Sequence, residues 1–127
     1  MKHRILLLAL LSAVCLIATA QQQYYLLAGT YTTGKSEGIY VYQFNSTDGS
    51  AKKISHTKTS NPSFIAVSPN EQFVYAVNED AAKNGKGGDI AAFSFDKHTG
   101  KLSYINQQPT GGDHPCYVSV DKTGRWV

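Results

Sequence analysis

The sequence predicts an all-β protein built from a repeated unit of four short antiparallel strands. Composition is the first reason: of 127 residues, 42% are hydrophobic and only 17% charged, and eight tyrosines and five phenylalanines carry the aromatic share. Such side chains suit half-buried strands. The second reason is that the chain aligns with itself. Gly38-Ile39-Tyr40-Val41-Tyr42-Gln43-Phe44 returns as Asp89-Ile90-Ala91-Ala92-Phe93-Ser94-Phe95 (90 − 39 = 51), and Asn45 to Gly49 returns as Asp96 to Gly100 at the same shift. Asn61 to Asn70 returns as His114 to Thr123 (115 − 62 = 53). The third reason is that no helical periodicity appears after the first twenty residues. Four antiparallel strands repeating at this period describe the blade of a β-propeller, for which roughly 40 to 50 residues is normal.

The elements follow in order. Lys2, His3 and Arg4 precede an apolar run from Ile5 to Ala18, and Ala18-Thr19-Ala20 offers the small residues that a signal peptidase reads. Residues 1–20 are therefore expected to be a cleavable signal peptide, cut after Ala20, with the protein secreted or periplasmic. The run is short against the roughly 20 apolar residues that span a bilayer, so no membrane attachment is expected after the leader is removed. Cys15 raises a lipoprotein alternative, which Val14 before it and the continuing apolar run disfavour. Residues 21–127 form the second region. Strand signals fall at Tyr24 to Thr30, Ile39 to Phe44 and Ala51 to His56, then at Phe64 to Val67, Gln72 to Val77, Ile90 to Phe95 and Leu102 to Gln107. The loose alternation of Ile90 to Phe95 reads as a strand covered on both faces. Arg125-Trp126-Val127 reads as the start of a further strand.

Two units do not close a ring, which takes typically four to eight blades, so the chain is expected to be the N-terminal part of a truncated propeller domain. Without the leader the charge balance is 12 − 2 = 10 basic against 9 acidic residues. That leaves no electrostatic case for nucleic acid. Cys15 lies in the leader, so Cys116 stands alone and no internal disulfide is expected.

Several phrases of the repeat carry a resemblance: Gly29-Thr30-Tyr31-Thr32, Gly38 to Tyr42, Asn61-Pro62-Ser63-Phe64-Ile65-Ala66-Val67-Ser68-Pro69, Tyr75-Ala76-Val77-Asn78-Glu79, Thr99-Gly100-Lys101-Leu102 and Gly111-Gly112-Asp113-His114-Pro115-Cys116. Together, across Tyr25 to Val127, they resemble the seven-bladed propeller lactonases, which include bacterial 6-phosphogluconolactonases and fungal carboxymuconate cyclases. The resemblance implies a seven-bladed fold and a hydrolase that opens a sugar lactone by general-base attack of water. Its implied partner is a small-molecule lactone, with no cofactor. Two alternatives stand beside it: a non-catalytic carbohydrate- or protein-binding propeller of the cell envelope, and a muconate-lactonising cyclase.

Blade geometry brings Asn61-Pro62-Ser63, Asn78-Glu79-Asp80 and Gly111 to Pro115 to one rim, and sends the turns at Pro69 to Glu71 and Asp96 to Gly100 to the opposite face. Glu79 is the first catalytic candidate, because a carboxylate at a strand end can take a proton from water; the alternative is a carboxylate capping loop amides. His114 is the second, since imidazole can polarise a carbonyl or carry a proton; the alternative is an exposed loop histidine. Asn61, Asn78 and Tyr117 are candidates for contact with substrate, and Tyr117 stands where many family members carry a histidine after Pro-Cys. Cys116 reads as a small buried residue rather than a nucleophile, because no cation lies near it in sequence. Lys83 to Gly88 could form an anion-cradling nest or a solvated connection. His56 and His98 fall on strand or bottom-turn positions. No metal-ligand spacing appears, so no metal is expected.

Overall fold

The computed structural model describes residues 23–81 and 87–127. The expected signal peptide and most of the Lys83 to Gly88 connection lie outside the described residues. Seven strands form two antiparallel meanders. In the first sheet β1 (Gln23–Gly29), β2 (Gly38–Asn45) and β3 (Ala51–Lys58) lie in sequence order. In the second, β4 (Ile65–Val67), β5 (Phe73–Asn78), β6 (Asp89–Asp96) and β7 (Lys101–Pro109) do the same. No helix occurs among the described residues. Each of the seven strands predicted between Tyr24 and Gln107 is present, with its ends moved by no more than two residues.

The two sheets repeat one another in detail. The turns at 45–49 and 96–100 both close on a glycine in the left-handed region, Gly49 at φ 75° and Gly100 at φ 66°, and both are capped by a side chain: Asn45 accepts the Thr47 N–H at 2.9 Å and Asp96 the His98 N–H at 2.8 Å. These are Asx turns, in which a short polar side chain takes over a backbone amide. Both sheets then slip register at equivalent points, between Val41 and Tyr42 and between Ala92 and Phe93. The slip leaves Ile54 and Ile105 as the extra residues in β3 and β7. A repeated bulge bends each outer strand in the same way.

The core lies between the sheets. Ile39 and Val41 of β2 pack with Val74 and Ala76 of β5, Ala91 and Phe93 of β6 and Leu102 of β7. Pairing sets the second sheet's contribution, because Val74 lies opposite Phe93 and Ala76 opposite Ala91, so both pairs project on one face. Full burial of a side chain such as Phe93 is worth roughly 1.5–3 kcal/mol. Tyr25 meets Phe95 edge to face at 5.2 Å. At the outer edge Ser55 donates to the Gly100 carbonyl at 2.6 Å and Thr57 to the Leu102 carbonyl at 3.3 Å, stitching β3 to the second sheet. Close approach elsewhere requires glycine: a Cβ on Gly29 would sit 1.9 Å from the Pro62 carbonyl oxygen.

The other face of the second sheet differs from the expectation that β6 is covered on both sides. Ile90 and Ala92 are only half-buried and, with Tyr75, Tyr117 and Val118, line a cavity of about 610 Å³. A second difference lies after β7. Residues 110–127 form no strand, although Arg125-Trp126-Val127 reads as one. In the preceding turn the Asp121 N–H donates to the Trp126 carbonyl at 3.0 Å. That turn copies the one between β4 and β5, where the Ser68 N–H donates to the Phe73 carbonyl at 2.9 Å, 53 residues earlier. Cys116, expected to be buried, is exposed.

Candidate functional site

The ends of β5 and the segments before β4 and after β7 meet at one rim, as the blade geometry requires. At the opposite end of the second sheet, Lys97 pairs with Glu71 at 2.7 Å. The organiser of the rim is Asn61, which sits in the left-handed region at φ 41°, a conformation that asparagine tolerates better than most residues. Its carbonyl accepts the Glu79 N–H at 3.1 Å and the Ser63 N–H at 2.7 Å. Its side-chain oxygen accepts the Thr32 N–H at 2.8 Å, and its amide donates to Asp80 at 2.7 Å. Asn61 thus joins the loop after β1 to the end of β5.

Glu79 follows β5 with its carboxylate anchored on one oxygen. Oε2 accepts the Tyr31 hydroxyl at 2.9 Å and also the Ser63 hydroxyl in a short bond. Among the described residues, Oε1 takes no hydrogen bond. The Ser63 bond first, and the Tyr31 bond second, hold the Glu79 pKa below the ordinary 4.5, with a smaller contribution from nearby His114. Reciprocally, the bond to Glu79 raises the Tyr31 hydroxyl above its usual value. Glu79 is therefore an anion throughout the neutral range, held by neutral donors.

His114 is exposed and in the left-handed region at φ 51°, with its N–H donated to the Asp80 carbonyl at 3.1 Å. Tyr117 is 67% exposed, its ring packed on Phe64 with centroids 4.8 Å apart. Asn78 is placed differently. It is 5% exposed; its oxygen accepts the Thr59 hydroxyl at 2.7 Å and its amide donates to Asp89 at 2.6 Å. A ligand would have to displace one of these partners to reach Asn78, which is buried and braces the rim between Thr59 and Asp89. The Asn61 side chain is likewise engaged by Thr32 and Asp80, and it shapes the rim from beneath. Among the described residues no group of three His, Cys, Asp or Glu side chains could hold a metal ion.

Tyr31 and Ser63 were not singled out from the sequence. Strand pairing contains the signal that finds Tyr31: Gly29 lies opposite Ile39 and Val77 opposite Ile90, so with Ile39 and Ile90 equivalent in the repeat, Tyr31 is the first sheet's counterpart of Glu79.

A family profile described as "Lactonase, 7-bladed beta-propeller" matches residues 25–127. The chain belongs to the seven-bladed β-propeller lactonase family. Its sequence is 37% identical over 103 residues to the 6-phosphogluconolactonase of Bacillus subtilis, covering 78% of this chain and 28% of the relative. It is 36% identical over 104 residues to that of Formosa agariphila, covering 80% of this chain and 29% of the relative. Among solved structures, the periplasmic gluconolactonase PpgL of Pseudomonas aeruginosa superimposes with a TM-score of 0.74 at 41% identity, over 82% of this chain and 30% of that one. The chain thus spans less than a third of the length of these relatives, about two blades' worth of a family fold of seven.

Proposed function

We propose that this chain contributes two blades to an exported lactone hydrolase that opens a sugar lactone with water. The observation that carries the reading is the Glu79 carboxylate, fixed at the rim by Tyr31 and Ser63 beside His114. In this reading water donates a hydrogen bond to Oε1 and adds to the lactone carbonyl carbon, giving up its proton to Glu79. The tetrahedral oxyanion collapses, the ring C–O bond breaks, and the departing alkoxide takes a proton to leave a hydroxy acid. His114 polarises the carbonyl or supplies that proton. Tyr117 offers a ring and a hydroxyl to the sugar. An N-terminal leader over residues 1–20 would deliver the protein outside the cytoplasm, and the likeness to a periplasmic gluconolactonase of Pseudomonas aeruginosa supports that compartment.

One observation favours a second reading. A carboxylate with a lowered pKa is a weak base but a persistent hydrogen-bond acceptor, which also suits a rim that binds polyhydroxylated ligands without hydrolysing them. Both readings are tested by measuring hydrolysis of a panel of sugar lactones, corrected for the spontaneous rate, by the full-length protein and its Glu79→Gln variant, with calorimetric binding of the corresponding hydroxy acids. Hydrolysis that falls in the variant supports the lactonase. Binding with no hydrolysis in either protein supports the binding module.

A further inference from the structure

The rim's acidic residue is reached from two sheets. Tyr31 comes from the loop after β1 in the first sheet, and Ser63 from the segment that leads into β4 of the second, yet both hydroxyls end on Oε2 of Glu79. Two donors on one oxygen fix the carboxylate plane and leave Oε1 as the oxygen open to a ligand. Tyr31 is 56% exposed, so its hydroxyl is held by hydrogen bonding rather than by packing, to Glu79 first and also to the neighbouring Ser63.

We propose that Tyr31 is a positioning residue that, together with Ser63, holds Glu79 ionised and turns its Oε1 toward the reacting water, linking the first blade to a site that otherwise belongs to the second. This rests on the lactonase reading above. A hydrogen bond to the charged form of an acid favours that form. Removing one such bond therefore raises the carboxyl pKa.

The experiment compares full-length wild-type protein, Tyr31→Phe, Ser63→Ala, Glu79→Gln and Tyr31→Phe/Glu79→Gln. Two readouts are taken: the pH profile of kcat/KM on a sugar lactone, and a carbon-13 NMR titration of the Glu79 carboxyl, which does not depend on activity. In Tyr31→Phe the carboxyl titration and the acid limb of the profile should both move to higher pH. Activity should drop roughly 10- to 100-fold, as when an outer-shell partner is removed. In the Glu79→Gln background the same change should cost nothing further. Ser63→Ala should reproduce the titration shift, and it carries the test if Tyr31→Phe does not fold. A Glu79 titration unmoved in both variants overturns the inference whatever the activity. A titration that moves while Glu79→Gln hydrolyses lactone normally upholds the contact and overturns the lactonase role of Glu79.

Discussion

Asn61 and His114, 114 − 61 = 53 residues apart, hold the same left-handed backbone conformation at the same place in successive repeats, with φ of 41° and 51°. Each is followed by a proline, and each donates its N–H into the loop that follows β1 or its counterpart β5, Asn61 to Thr32 at 3.2 Å and His114 to Asp80 at 3.1 Å. The rim is therefore a repeated joint, filled once by asparagine and once by histidine. Asparagine is the better fit, because a left-handed conformation costs most non-glycine residues about 1–2 kcal/mol and asparagine and aspartate less. The histidine is in the less favourable conformation at the point where imidazole chemistry would be useful.

His114→Asn is the corresponding test. It keeps the joint and removes the imidazole, so unfolding in urea should occur at the same or a slightly higher midpoint. Lactone hydrolysis by the full-length protein should fall about 10²-fold or more, the low end for a positioned acid or base. Retained activity would make His114 an element of the joint alone.

Asn78 sits one residue from Glu79 and does a different job. Replacing it with alanine leaves the half-buried Thr59 hydroxyl without its acceptor and Asp89 with Gln107 as its remaining donor, at a cost of about 1–3 kcal/mol. The urea midpoint should drop accordingly while KM for lactone stays as it was. A raised KM at unchanged stability would return Asn78 to the substrate.

That contrast shows what was legible in the sequence. Strands were, because turn residues such as Asn45 to Gly49 and Asp96 to Gly100 bound them and the repeat confirms each by its copy. The gathering of Asn61, Glu79 and His114 at one rim was legible too, since blade topology alone sends those segments there. The direction of Asn78 could have been read: it continues the Val74, Ala76 alternation that faces the core. The Tyr31–Glu79 bond could not be read from periodicity, because it spans 48 residues and two sheets and depends on the reach of one phenol. Exposure of Cys116 was hidden for a related reason, since its surroundings are set by packing partners and not by local pattern.

Gly29→Ala should disturb fold and site together. The added Cβ would meet the Pro62 carbonyl oxygen at 1.9 Å and Ile65 Cδ1 at 3.2 Å, and Pro62 is fully buried. Overpacking of this kind costs about 1–3 kcal/mol. Relief by moving Pro62 would draw Ser63 away from Glu79, so the variant should lose both stability in urea and activity. Full activity with a lowered midpoint would show that the rim tolerates the shift.

Asp121 gives a pH test outside the site. Its carboxylate accepts the Arg125 N–H at 2.8 Å, the Trp126 N–H at 3.0 Å and the Thr123 hydroxyl. The Thr123 bond first, and the Trp126 amide second, lower its pKa from 3.8 to about 2. A folded pKa below the unfolded one means that the turn is stabilised above about pH 4 and loses that contribution as pH falls through about 2. Trp126 is the only tryptophan in the sequence, so its fluorescence should titrate near the lower value. In Asp121→Asn that transition should be missing.

The last expectation concerns Glu79 in the wild-type protein. General-base assistance needs the carboxylate form, and kcat/KM reports the free enzyme's essential ionisations. Bonds from Ser63 and Tyr31 hold that ionisation below the ordinary 4.5, so hydrolysis of a sugar lactone, corrected for the spontaneous reaction, should stay level from neutral pH down past 4.5 before it falls. Glu79→Gln has no carboxyl to titrate: its rate should be lower by about 10²- to 10⁴-fold, and this acid limb should vanish, with the melting temperature nearly unchanged because the Tyr31 and Ser63 hydroxyls can still donate to the amide oxygen. A limb near pH 6 that persists in the Gln variant would assign the essential ionisation to another group, and Glu79 would then be an anionic brace for substrate hydroxyls.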